Sequence, residues 1–323
     1  MSITITGGIS FSGAMSIVSP PSTPTAGWFG GGYAPAPTNR TSYVERITFA
    51  TDTATPTTRG PLSIIRNRLA ATGTLSYGWY GGGNTPTLLS SVDRITFASD
   101  TSTAAVRGPL SAGRYTLTAT SDSTTYGWFI GGNVGGPYVT GLRSTIDRIT
   151  FSTDTDTASV RGPLSSSGYA GAATTNNIYG WYGGGREPSD VTSNVVRITY
   201  ATDTNSPTVR GPLSAAKYQI AATGSTSYGW YAGGKGFASP KVSIVDRIDY
   251  SNDTATASVR GPLNTTSLFA ASTDGTTYGW FGGGDNARSL VNRITYATDT
   301  ATATARGPFT AGAQNWAATS GVQ

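Results

Sequence analysis

The chain has 323 residues and a formal charge of +5, from 22 basic and 17 acidic residues, with no Cys and no His. That composition excludes disulfides, thiolate or His-ligated zinc, a Ser-His-Asp triad and a Cys nucleophile. Gly and Pro are abundant at 43 and 17, and no apolar run approaches the roughly 18 residues of a membrane helix.

Residues 1–24 lack a basic start and a continuous apolar core, so they do not read as a secretory signal. Ile3, Ile5, Ile9 and Phe11 stand on the apolar positions of a Gly-interrupted alternating stretch, and Pro20-Pro21-Ser22-Thr23-Pro24 reads as a stiff linker. A short alternating strand on a tether suits addition to another protein's sheet, so these four residues are candidates for assembly.

From residue 25 onward one unit recurs six times. A Gly-Trp-aromatic step falls at Trp28, Trp79, Trp128, Trp181, Trp230 and Trp280, at spacings of 51, 49, 53, 49 and 50. A Gly pair follows each: Gly31-Gly32, Gly82-Gly83, Gly131-Gly132, Gly184-Gly185, Gly233-Gly234 and Gly283-Gly284. Next comes a Val-Asp-Arg-Ile-Thr-Phe block at 92–97 and its relatives, then a Thr-rich turn with an Asp, then Arg-Gly-Pro. Each block predicts β-structure: Ala70 to Tyr80, Val92 to Phe97 and Thr101 to Arg107 in the second copy. Sustained 3.6-residue periodicity is absent, so almost no helix is expected. Units of about 50 residues with four short strands have the size of propeller blades.

The order of these blocks, and the Gly pair above all, resembles the kelch repeat over roughly residues 25–323. Kelch repeats place a Trp on or near the last strand, whereas this chain places it just before the glycines. The fold expected is all-β: a six-bladed kelch-like β-propeller (25–323) with an extended N-terminal arm (1–24). The first copy lacks the strand, Ala-Ala-Thr or a close variant, that precedes every later Trp, and Trp316-Ala317-Ala318-Thr319 supplies one. Pairing of the terminal segments therefore closes the ring and covers an edge. A linear β-solenoid is the alternative, and it needs no complementary ends.

Residues that repeat six times are read as structural. The Trp and its aromatic neighbour fill the space between blades. The recurrent Arg46, Arg94, Arg148, Arg197, Arg247 and Arg293 require carboxylate or carbonyl partners if buried. Asp52, Asp100, Asp154, Asp203, Asp253 and Asp299 are available, or they cap their own hairpins. A phosphate cradle at the glycines is disfavoured, since no Lys-Ser/Thr or helix follows.

Recognition should lie where the copies differ: in the loop after each Gly pair and in the segment after Arg-Gly-Pro. The second set places Arg66, Arg68, Arg114, Tyr115, Tyr169, Lys217 and Tyr218 around one mouth of the ring. A basic, aromatic mouth suits sugars or acidic groups. Against it stands a hydrated rim with no ligand. No catalytic residue, metal site or cofactor is expected; Glu187, Asp190 and Asp285 are the formal candidates for a carboxylate-pair hydrolase, with nothing in the sequence that joins them. Nucleic acid is not expected as a partner, because the arginines follow the repeat rather than cluster, and membrane insertion is not expected either.

The arm and the Thr/Gly-rich, Lys-poor wording of the repeats resemble virion proteins of marine tailed bacteriophages. That resemblance implies a fibre, tail appendage or capsid-surface protein at the virion surface, within a homo- or hetero-oligomeric assembly. Its partners would be other virion proteins through the arm, and a host-surface glycan or protein at the propeller. A free carbohydrate-binding lectin or adhesin is the runner-up, and an intracellular kelch-type scaffold the third reading.

Overall fold

The structure is a computed structural model that describes residues 23–35, 39–135, 140–268 and 270–320. Ile3, Ile5, Ile9 and Phe11 lie outside the described residues. Six antiparallel four-stranded sheets stand around one axis as the blades of a propeller. Blade 2 shows the plan, from innermost strand to outermost: Ala70–Gly73, Tyr77–Gly81, Val92–Thr96 and Ala105–Arg107. The innermost strands of successive blades contact one another all the way round.

Blade 1 is built from both ends of the chain. Its inner strand is Ala317–Thr319, paired antiparallel with Ala26–Gly30 through Trp28↔Thr319 and Gly30↔Ala317. The expected closure is present, and the wheel leaves no solenoid-like end.

The sequence pattern follows from burial on both faces of each blade. The second strand is buried along nearly its whole length, as in Tyr77–Gly81. Hence its residues do not alternate apolar with polar; large rings alternate with glycines. A Cβ on Gly81 would lie 2.6 Å from the Phe129 ring of the next blade. The apolar side chains gather into six clusters, one at each blade interface, with no central core. Between blades 1 and 2 the cluster holds Trp28, Val44, Leu62, Leu69, Tyr80 and Ile95.

Three details differ from the sequence reading. Ala70 to Tyr80 is two strands joined by a hairpin at 74–76. Phe97 does not end its strand but opens a three-residue 3-10 helix, Phe97–Ser99, which turns its ring back onto Trp28 of the preceding blade at 3.7 Å between centroids. The outer strand is only Ala105–Arg107, because Thr101 to Thr103 belong to the turn that Ser102 closes onto the Ser99 carbonyl. These 3-10 turns recur in all six blades and are the only helical segments among the described residues.

Candidate binding face

The repeated charges assemble first into a girdle. Asp100 of blade 2 accepts the indole N–H of Trp28 at 2.8 Å and Arg46 at 3.1 Å, both from blade 1, and pairs with Arg59 at 3.4 Å. The same three-to-one convergence falls on Asp154, Asp203, Asp253 and Asp299. It closes the ring at Asp52, which takes Trp280, Arg293 and Arg306 of blade 6. The expectation of carboxylate partners for the repeat arginines holds, and the turn Asp serves its neighbour's side chains rather than a cap on its own hairpin. Its own carbonyl also accepts from the glycine of the preceding Arg-Gly-Pro, as in Gly60 to Asp100 at 2.8 Å.

A second set of charges lies deeper and corrects the expected mouth. Arg66, Arg114 and Lys217 do not ring the opening with their charges outward; all three are buried. Arg66 pairs with Asp93 at 3.2 Å, Arg114 with Asp147 at 3.0 Å and Lys217 with Asp246 at 3.1 Å, each across a blade interface. Burial pulls the pKa of Arg66, Arg114 and Lys217 down, and the facing aspartate opposes that shift. The physical reason is the traverse of the chain after Arg-Gly-Pro. It runs inward over the neighbouring blade, so these side chains drop into the interface rather than into solvent. The other three interfaces change both members together. Gly168 faces the blade that carries Val196, and Ser267 the blade that carries Asn292. Ala313 leaves Glu45 to accept from Thr310 N, Ala311 N and the Thr310 hydroxyl.

Arg68, Tyr115, Tyr169 and Tyr218 lie in the loop-face rim, with the Tyr218 ring buried. The segment after Arg-Gly-Pro pairs with the loop after the Gly pair through Asn67↔Asn84, Tyr115↔Asn133, Tyr169↔Arg186 and Tyr218↔Lys235. The first Gly of each pair makes this turn: Gly31 has φ +71°, and a Cβ there would lie 2.8 Å from the Arg66 carbonyl oxygen. A rim of backbone hydrogen bonds runs from blade to blade just inside. Arg68 N donates to Asn315 O at 2.6 Å, Thr116 N to Arg68 O at 2.7 Å, Ala170 N to Thr116 O at 3.0 Å and Gln219 N to Ala170 O at 2.7 Å. The five residues named hold φ between +52° and +60°, a left-handed conformation that this mutual bonding sustains.

Over this rim, cations and rings meet. Arg68 stands over the Tyr115 ring at 5.4 Å and Lys235 over Tyr218 at 5.6 Å. Arg186 stands over Phe237 at 4.7 Å, and its charge tempers the rise that burial gives the Tyr169 pKa. Phe237 is 61% exposed. Arg186, Lys235 and Phe237 were legible as residues of the variable loops, yet nothing in the sequence favoured them over their neighbours. Glu187 and Asp190 share one loop of blade 4. Asp285, in blade 6, is held by Lys241 and the Leu268 N–H, so it is not placed to act with them. Burial raises the Asp285 pKa, but those two bonds and the charges of Lys241 and Arg288 outweigh it, and the net shift is downward.

The axial channel offers a different surface. It has a volume of about 190 Å³ and is lined by the inner strands. Its middle layer is Ala71, Ala119, Ala173, Ala222, Ser272 and Ala318, below which every blade contributes a Thr. Asp274 is the one charged side chain in this lining among the described residues, and the Ser320 hydroxyl donates to it. Among the described residues, no three Asp or Glu side chains converge on a point where they could hold a metal.

Charge divides between the two faces. Outside the girdle and the three buried pairs, the cations are Arg40, Arg68, Arg143, Arg186, Lys235, Lys241 and Arg288, all on the loop face. Glu187, Asp190 and Asp285 are the exposed or rim carboxylates of that face. Asp122, Asp156 and Asp249 lie at the opposite face, in the hairpins and turns at the other strand ends.

No family model and no curated protein matches the chain. Among solved structures the chain is similar to YjhT, with a TM-score of 0.66 and 8% identity over 80% of this chain and 88% of that one. At that identity the likeness shows the propeller fold alone.

Proposed function

We propose that the protein is a non-enzymatic recognition part of a virion, with kelch-type blades, docked by residues 1–24 and presenting its loop face to a host surface. The observation that carries this reading is where the chain enters the wheel. Thr25 occupies the place that Ser76 holds in blade 2: its carbonyl accepts from Phe49 N as that of Ser76 does from Phe97 N. The inner strand Ala317–Thr319 also runs down to that end. The arm thus leaves from the face opposite the cation-aromatic loops. A tether on one face and variable, aromatic loops on the other suit docking and display at once.

The test is deletion of residues 1–24. Incorporation into particles is expected to be lost while thermal unfolding of the propeller stays unchanged. Particles that still incorporate the truncated chain would overturn the docking role of residues 1–24, whereas a full-length chain that never incorporates and a truncated one that keeps glycan binding would favour the free lectin. The cation-aromatic loop face would serve a lectin equally well.

A further inference from the structure

The loop face combines three features that narrow its ligand. Its cations are spent neither on the girdle nor on the buried pairs, and they outnumber the carboxylates of that face seven to three. Two of them lie against rings that reach solvent at separate blades, Arg68 on Tyr115 and Arg186 on Phe237, while Lys235, in the same loop as Phe237, stands over the buried ring of Tyr218. Beneath them the axial channel holds only about 190 Å³, and none of these cations or their rings lies in its wall.

From this we propose that the loop face binds an acidic polysaccharide laid across the blades, through repeated units of one cation and one ring. The proposal rests on the display reading above and names its ligand class. A ring offers a flat apolar surface to the C–H face of a pyranose, and the adjoining cation meets a carboxylate or sulfate on the same sugar. The Arg186 site is the most complete. The Arg186 backbone is bridged to Tyr169, its guanidinium stands over Phe237 at 4.7 Å, and that ring is 61% exposed. A monosaccharide would want an enclosing pocket; two such units on separate blades, amid a face rich in cations, instead match a polymer with a repeating charge. Nucleic acid fits less well. In a duplex the bases stack on one another and leave no free face for these rings, so DNA would meet the cations alone.

The full-length protein is titrated with four probes: a polyuronate, dextran sulfate, neutral dextran and duplex DNA. The expected result is binding to one or both acidic polysaccharides, with neutral dextran and DNA at least about tenfold weaker. Binding should weaken between about 50 mM and 200 mM salt. Phe237→Ala should cost about tenfold in affinity. This residue is exposed, so the variant folds; Ile178→Ser on the opposite face should change nothing. The polyuronate and dextran sulfate arms separate carboxylate from sulfate recognition. Absence of binding to both acidic polymers, affinity unchanged in Phe237→Ala, or DNA bound as tightly would each overturn the proposal. Loss of incorporation on arm deletion, with no polysaccharide bound, sinks this inference alone; polysaccharide binding by a chain that incorporates without its arm sinks the docking role alone.

Discussion

Each girdle aspartate carries an unusual load for one side chain: an indole N–H and two guanidinium groups, all from the neighbouring blade. Removing it leaves two partly buried arginines and a buried indole without their acceptor. Asp203→Ala strips Trp128, Arg148 and Arg161 together, and breaking a buried pair in this way costs about 3–5 kcal/mol. The expected outcome in a denaturant titration is a lower midpoint with a nearly constant slope. Asp203→Asn, which keeps an acceptor for the indole, should cost less. The deeper pairs invite a double-mutant cycle that follows the chain's own variation. Arg66→Ser and Asp93→Asn should each be strongly destabilising, and the double variant, which installs the residues found at Ser267 and Asn292, should recover more than about 1 kcal/mol of their sum. Additive losses in the measured unfolding free energies would contradict the pairing. At this scale the sequence told types but not partners. Six Trp, twelve Arg and six Asp stood in plain register, and a need for carboxylates followed from burial. That Trp28 meets Asp100, 72 residues on, depends on the angle between blades. The misplacement of Arg66, Arg114 and Lys217 has a related cause: a variable residue in a connecting segment looks the same in sequence whether it faces water or a neighbour's aspartate.

The inner strand Trp316 to Thr319 does more than complete a sheet. Trp316 packs against Phe29 and Phe309 and donates its indole N–H to the Gly282 carbonyl, so it joins blades 6 and 1. Truncation before Trp316 removes this anchor and bares the edge of Ala26–Gly30. Losing the buried Trp alone corresponds to about 3–5 kcal/mol. Calorimetry should show a large drop in the unfolding temperature, and a peptide of residues 316–323 added in trans should restore part of it. This closure was readable, because the first copy lacked a strand and the last residues supplied a matching one. The 3-10 turns were not readable. Phe97 sits in phase with the apolar positions of the strand before it, and only the Trp ring of the neighbouring blade, against which it stacks, draws it out of the strand.

The wheel holds six of its tyrosines within the blade interfaces, and that sets a limit on alkaline conditions. Burial raises the pKa of Tyr80, Tyr182, Tyr200, Tyr231, Tyr250 and Tyr296 in the folded chain. Their unfolded value is about 10. Below that value both states hold the proton and the folded state keeps its full advantage. Above it the unfolded chain sheds protons that the folded chain retains, so stability falls as pH rises. Unfolding midpoints should therefore drop steeply above about pH 10, with the tyrosinate absorbance of these groups appearing only as the fold is lost; a smooth titration of all 17 tyrosines in the folded state would contradict this. The net charge also belongs to the whole. The girdle's twelve arginines face six aspartates, an excess that covers the formal +5, so the basic character of the chain follows from its construction rather than from a patch for nucleic acid.

The chain enters the wheel where every other blade carries a turn between its two inner strands. Five equivalent positions thus exist at which the polypeptide could be opened once its present ends were bridged by a short linker. A circular permutant that starts within 176–178 would keep all six interfaces and the whole girdle, and would carry any fused tether on blade 4 instead of blade 1.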